Sequence, residues 1–164
     1  MEAHEENPMK PAEPQPEHEW LQKLVGAWTL ESQEMADSCP PPGAWTENGR
    51  SLGGLWVLLE GQGEMPGGSP GSTLMTLGYD PQKGRYVGSW VGSMMTYLWV
   101  YDGAREGNVL TLDSEGPSLD GDGKMARYRD VVELVSDDLR TLTSHVLGED
   151  GEWQKFMTAR YRRT

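Results

Sequence analysis

Residues 24–28 read Leu-Val-Gly-Ala-Trp and residues 86–90 read Tyr-Val-Gly-Ser-Trp, so each stretch places a glycine two positions before a tryptophan. A glycine within a strand leaves room for a bulky neighbour where a sheet bends sharply. The pattern predicts a small antiparallel barrel that tryptophan side chains seal. We expect Trp28 to be buried beside Gly26, and Trp45, in a Pro- and Gly-flanked stretch, to contribute far less to stability.

Turn residues divide the rest of the chain into short segments at intervals of about ten residues, the spacing expected of a barrel or sandwich. The predicted strands are 25–35, 44–52, 55–62, 72–79, 84–92, 95–102, 108–115, 124–136, 139–147 and 152–163. The predicted turns include 80–84, Asp102-Gly103, 120–123, Asp137-Asp138 and Asp150-Gly151. No helical crossover separates the strands, so they should pair antiparallel and in sequence.

The predicted fold class is all-β, an antiparallel up-and-down barrel of about eight to ten strands with a short N-terminal helix. Residues 17–24 form the predicted helix, in which Trp20 and Leu24 lie four positions apart on one face. Residues 1–16 are acidic and rich in proline, which predicts a disordered tail. Residues 17–164 then form a single barrel domain, with the loop 65–71 beside its mouth.

Charge and composition exclude several classes of partner. The formal net charge of −12 repels nucleic acid and anionic membranes. The N-terminus lacks the features of a signal peptide, and no apolar run approaches the ~20 residues of a membrane span. Cys39 is the only cysteine and lies in a proline-rich stretch, so the chain needs no oxidising compartment. We therefore expect a cytoplasmic protein.

Several short motifs follow one another in a specific order. They are Leu24–Trp28, Arg50–Gly54, Leu77–Asp80, Tyr86–Trp90, Ser93-Met94, Leu110–Leu112 and Gly148–Gly151. This order resembles a widespread bacterial family of unknown function with a lipocalin-like (calycin) β-barrel, over residues 18–163. The resemblance implies the fold and no established activity. Members commonly carry an acidic residue before the Ser-Met pair, whereas this chain has Gly92.

Aromatic residues form the first group of candidate ligand-binding side chains. Tyr97, Trp99 and Tyr101 alternate and therefore share one strand face. Trp28 and Trp90 are candidates for the same interior. One interpretation is an aromatic pocket for an apolar or flat ligand. The other is ordinary packing of the core and rim.

Basic and hydroxyl residues form the second group. Arg127 shares a strand face with Arg129, and Arg50 precedes a Gly-Gly corner. An inward arginine would bind an anionic group, whereas exposed arginines would only balance the acidic surface. Fatty-acid-binding barrels use Arg and Tyr two positions apart, but the Arg-Tyr pairs of this chain are adjacent and point to opposite faces. Ser93 is the remaining hydroxyl candidate.

His145 is the only histidine outside the tail and the leading helix. Related nitrobindin-type barrels hold haem through a single histidine, so haem ligation is one hypothesis for it. The alternative is a hydrogen-bonded strand histidine. The sequence has no zinc pattern, and the acidic turn 120–123 lacks the distal glutamate of a calcium loop. We expect neither a metal nor a cofactor.

These observations favour a non-enzymatic barrel that binds a small hydrophobic or amphipathic molecule. One alternative is an enzyme, with isomerase-like or haem-dependent chemistry in the barrel, that uses Ser93, Tyr97, Arg127 or His145. A further alternative is a protein-interaction module whose barrel is filled by its own side chains. Convergent polar groups with shifted pKa values would favour catalysis.

Overall fold

A computed structural model describes residues 10–35 and 44–164 of the chain. In this part of the chain, ten antiparallel strands follow one another and close into a barrel, with β1 paired to β10. Helix α1 spans Pro16–Leu21, and a 3-10 turn follows at Gln22–Leu24. The strands are β1 Gly26–Met35, β2 Trp45–Leu52, β3 Trp56–Glu64, β4 Pro70–Asp80, β5 Arg85–Gly92, β6 Trp99–Glu106, β7 Val109–Pro117, β8 Met125–Ser136, β9 Leu139–Leu147 and β10 Trp153–Arg163.

The all-β prediction and the position of the helix are confirmed, but one of the predicted turns is wrong. Asp102-Gly103 is not a turn but lies in the middle of β6. The chain reverses instead at Gly107, whose φ of +60° suits glycine. Strand β6 consequently begins at Trp99, four residues later than predicted. The predictions for residues 1–9 and for Cys39 fall outside the described residues.

Helix α1 closes one end of the barrel. Leu21 and Leu24 are fully buried there. The His18 ring links the helix to the sheet: its Nδ1 accepts the Gln15 N–H at 2.9 Å, so its Nε2–H donates to the carbonyl of Tyr79 at 3.0 Å. The helix is six residues long, and no helix in the described residues has the length and apolar character that crossing a membrane requires.

Trp28 is fully buried, as the Gly-x-Trp pattern predicts. Its indole N–H donates to the carbonyl of Leu24 at 3.0 Å. The guanidinium groups of Arg140 and Arg163 lie 4.9 and 4.2 Å from the centre of its ring. Gly26 has φ +127°, and a Cβ there would lie 2.4 Å from Nη1 of Arg163. Gly26 therefore makes space at this corner for arginine rather than for the indole itself.

Trp45 is also buried, with 7% of its surface exposed, although the sequence predicted that it contributes far less to stability than Trp28. A Cβ at Gly61, Gly63 or Gly71 would lie 2.8, 2.7 or 3.3 Å from atoms of the Trp45 indole. The neighbouring strands β3 and β4 thus have glycine, with no side chain, at the positions that contact this ring. Strand β2 begins at Trp45, within the predicted strand 44–52, and the ring lines the interior despite its Pro- and Gly-rich flank.

We expect Trp28→Ala to lower the free energy of unfolding by about 3–5 kcal/mol, because it removes a fully buried indole. Trp153→Ala is the matched control. Trp153 is half-buried and contacts Arg129 on the outside of the barrel, so its loss should cost about 1 kcal/mol or less. Urea denaturation measures both values. Equal losses in the two variants would contradict this placement of Trp28.

Candidate ligand-binding cavity

The barrel interior contains two adjoining compartments. The larger has a volume of about 400 Å³ and the smaller about 230 Å³. Met75, Trp90, Leu142 and Met157 line both and form the wall between them. Three of these four side chains are flexible and aliphatic, so the wall can adjust to what lies on either side.

Both compartments reach the barrel end opposite helix α1. Met65 and Met94, from the β3–β4 and β5–β6 connections, line the larger one. Met95 and Leu119, from the β5–β6 and β7–β8 connections, line the smaller one. Met94, Met95 and Leu119 are 40%, 44% and 62% exposed. An apolar rim rich in methionine thus surrounds the mouth.

An ion pair forms the polar end of the larger compartment. Arg140 is 2% exposed, and its Nη2 donates to Oε1 of Glu47. The guanidinium also lies 4.1 Å from the ring centre of Tyr161, its register partner on β10. Arg140 Nε is buried and has no hydrogen-bond partner among the described residues. Burial and the nearby Glu47 carboxylate raise the pKa of Tyr161 far above its ordinary value, so its hydroxyl stays protonated.

The smaller compartment holds a carboxylate bound by hydroxyl groups. The Tyr101 hydroxyl donates to Oδ2 of Asp130 at 2.6 Å, and Ser144 is a second hydrogen-bond partner of that carboxyl. Burial raises the pKa of Asp130, while these two hydrogen bonds and the nearby His145 oppose the rise. Burial and the Asp130 charge raise the pKa of Tyr101 well above its usual value.

Five aromatic rings line the smaller compartment. Trp99 and Phe156 each meet the ring of Tyr128 edge-on, with centres 5.0 and 6.3 Å apart. The Tyr128 hydroxyl donates to the carbonyl of Pro117 at 2.5 Å, which fixes its ring. Trp90 and Tyr101 complete this set.

Three aromatic candidates from the sequence line the cavity. Trp90 lines both compartments, and Trp99 and Tyr101 line the smaller one. Tyr97 lies beside them, with its ring 5.0 Å from that of Trp99 and its hydroxyl bound to the carbonyl of Glu115 at 2.9 Å. Trp28 lies beneath the Arg140 guanidinium, next to the polar end of the larger compartment.

The other four predicted residues lie away from the cavity. Arg50 is exposed and pairs with Glu60 at 2.9 Å. Ser93 is exposed, and its hydroxyl accepts the N–H of Ser72 at 2.9 Å. Arg127 is exposed because its strand neighbour Tyr128 faces inward.

His145 lies on the outer face of β9 for the same reason, since its neighbour Ser144 lines the smaller compartment. Its Nδ1 lies 3.3 Å from the carbonyl oxygen of Arg129. Neither His145 nor Arg127 lines either compartment, although both lie on the outer face of the paired strands β8 and β9. Within the described residues, no group of three or more His, Cys, Asp or Glu side chains could hold a metal ion.

Three charged groups inside the barrel were not predicted from the sequence: Glu47, Asp130 and Arg140. A signal for Asp130 was present, because it alternates with Tyr128, Val132 and Leu134 on a strand face that is otherwise apolar. Arg140 gave no comparable signal, since both faces of β9 carry leucine or valine together with polar residues.

The fold and its interior define a class of protein, a closed antiparallel β-barrel with a mostly apolar cavity open at one end. The chain belongs to the family described as "Protein of unknown function (DUF1579)", whose model matches residues 13–163. This confirms the predicted membership of a barrel family of unknown function. No curated protein matches the chain in sequence.

Two solved structures are similar to this chain. The crystal structure of Rv2717c from M. tuberculosis is 14% identical, with a TM-score of 0.56, and the match covers 93% of this chain and 99% of that one. It shows the same fold. The structure of EF1p2_mFAP2b bound to DFHBI is also 14% identical, with a TM-score of 0.46 and coverage of 90% and 98%.

We expect Glu47→Gln to lower the free energy of unfolding by about 3–5 kcal/mol, because it leaves the buried Arg140 charge without a counter-ion. Glu60→Gln is the control, since it breaks the exposed pair with Arg50 and should cost about 1 kcal/mol or less. Urea denaturation compares them. The double variant Glu47→Leu/Arg140→Met should recover most of the loss, and failure to recover would argue against charge burial as the cause.

Asp130 should make stability depend on pH. Its pKa is raised in the folded state, so the folded protein keeps this proton to higher pH than the unfolded chain. This contribution to the free energy of unfolding therefore falls as pH rises from about 4, the ordinary aspartate value, through the raised value. The Asp130→Asn variant has no titratable carboxyl group at this position, so it lacks this pH-dependent contribution. Urea denaturation across this pH range measures the free energy of unfolding of both proteins. The stability of the variant relative to the wild type should rise with pH. A difference that stays constant with pH would refute the predicted role of Asp130.

Proposed function

We propose that the barrel binds a small hydrophobic or amphipathic molecule in its interior. The observation that carries this proposal is the larger compartment, because a volume of about 400 Å³ lies within the range of roughly 300–1,000 Å³ typical of ligand sites. Its walls include Leu59, Met75 and Val132, and its polar groups are few. Such a lining favours an apolar body with a single polar end.

The polar end of that ligand would meet the Arg140–Glu47 pair. Because the pair is neutral as a whole, it suits a head group that both donates and accepts hydrogen bonds, such as a hydroxyl or an amide. The buried Nε–H of Arg140 has no acceptor among the described residues, and an unsatisfied buried donor costs free energy. An oxygen atom of the ligand would accept this hydrogen bond and remove that cost.

The methionines at the mouth support the same function. Unbranched thioether side chains adapt to ligands of different shape and are common at promiscuous binding surfaces. Met94 and Met95 belong to the β5–β6 connection and lie partly in solvent, although each lines a compartment. They would cover an apolar ligand after it has entered.

This reading is preferred over its two alternatives. A barrel that served only as an interaction module would need no internal space of this size. An enzyme using Ser93, Tyr97, Arg127 or His145 would need that side chain at the ligand, and none of the four lines either compartment. We retain the cytoplasmic location as a prediction from the sequence.

The neutral fluorophore N-phenyl-1-naphthylamine should bind the barrel with enhanced emission. Leu142→Trp adds bulk to the wall shared by both compartments and should weaken binding about tenfold or more, at a stability cost of about 1–3 kcal/mol. Val100→Trp is the control, since Val100 is 61% exposed and should leave binding unchanged. Unchanged affinity in a folded Leu142→Trp variant would refute the interior as the site.

A further inference from the structure

Asp130 differs from the other acidic side chain that lines these compartments. Glu47 is paired with Arg140, whereas none of the five ion pairs among the described residues includes Asp130. No lysine or arginine lines the smaller compartment. An ionised carboxylate in such a site needs a compensating charge or a full set of hydrogen bonds.

The hydrogen bonds of Asp130 are fewer than an isolated carboxylate can accept. An ionised carboxyl has about four lone-pair sites, and the described partners are the hydroxyls of Tyr101 and Ser144. Both donors are neutral, so they stabilise the negative charge without cancelling it. Acceptor capacity on a carboxylate that lines a cavity suits a ligand that brings both hydrogen-bond donors and positive charge.

The rings around Asp130 favour the same kind of group. Trp90, Trp99, Tyr128 and Phe156 line the compartment together with Tyr101. The faces of aromatic rings are electron-rich and attract ammonium groups within about 6 Å, and this attraction is strongest where water is excluded. Trp99 and Phe156 pack T-shaped against Tyr128, with ring centres 5.0 and 6.3 Å apart.

From this combination we infer that the smaller compartment binds the protonated amino group of a small apolar or aromatic amine, with the ammonium directed at Asp130. The inference rests on the proposed function, because it names the ligand class for part of the same interior. A volume of about 230 Å³ limits the ligand to roughly one or two rings. The net charge of −12 would also attract a cation toward the barrel.

A matched set of ligands tests the inference by isothermal titration calorimetry at neutral pH. The set consists of 2-phenylethylamine, 2-phenylethanol and 3-phenylpropionate, which share the ring and differ in the charge of the head group. We expect the amine to bind about tenfold or more tightly than the alcohol, and the carboxylate to bind most weakly.

Asp130→Asn should remove most of the preference for the amine while the affinity for 2-phenylethanol changes by no more than about threefold. Asp113→Asn is the control, since Asp113 pairs with Arg129 through a 2.7 Å contact on the outer face. This control should keep the preference. If Asp130→Asn does not fold, Trp99→Leu provides a second test, because loss of one ring face should reduce the affinity for the amine more than that for the alcohol.

The outcomes separate this inference from the proposed function. Equal affinity of the wild type for amine and alcohol, or an unchanged preference in Asp130→Asn, would overturn the inference even if N-phenyl-1-naphthylamine binds. Failure of the fluorophore and of all three compounds to bind would overturn the proposed function and this inference with it. A preference for the amine that Asp130→Asn removes would support both.

Discussion

The buried guanidinium of Arg140 is the constraint on which the interior depends. Arg140 belongs to β9, and it contacts Glu47 of β2, Trp28 of β1 and Tyr161 of β10. These strands include β1 and β10, where the two ends of the sheet meet and the barrel closes. A charge can stay buried only if all these partners are in place. The Arg140 guanidinium therefore joins the closing strands. It also forms the polar boundary between the core packed near helix α1 and the cavity that opens at the opposite end of the barrel.

The fold could be predicted from the sequence because its signals are local. Turn residues at short intervals identify strands, and the absence of a helical crossover leaves sequential antiparallel pairing as the simple arrangement. The errors come from the same reliance on local signals. Asp102-Gly103 has the chemistry of a turn, but pairing with Asp113 and Leu112 of β7 keeps it in an extended strand. The burial of Trp45 was not predicted, because glycines distant in the sequence create the space for its ring.

The cavity was only partly predictable, because its chemistry depends on which face of each strand points inward. Trp90 and Trp99 could be found since aromatic residues on an alternating strand face usually turn toward the interior. Arg140 could not, because its partners are Glu47, far away in the sequence, and Tyr161 on β10, which the register between strands brings together. Asp130 could have been predicted from the sequence. Asp130 alternates with Tyr128, Val132 and Leu134, so it places a charged side chain on an otherwise apolar strand face. Such exceptions to the apolar pattern are typical of functional sites.

The sulfur atoms at the mouth link the barrel to the redox state of its surroundings. Met94 and Met95 are 40% and 44% exposed, so oxidants in solution can reach their thioethers. Oxidation to the sulfoxide replaces a flexible apolar side chain with a polar, chiral one and is reversed only by dedicated reductases. An oxidised rim would attract water to the entrance of an apolar cavity. Two preparations of the same chain with different histories of exposure to peroxide would then differ at the entrance, although their strands and buried core were the same.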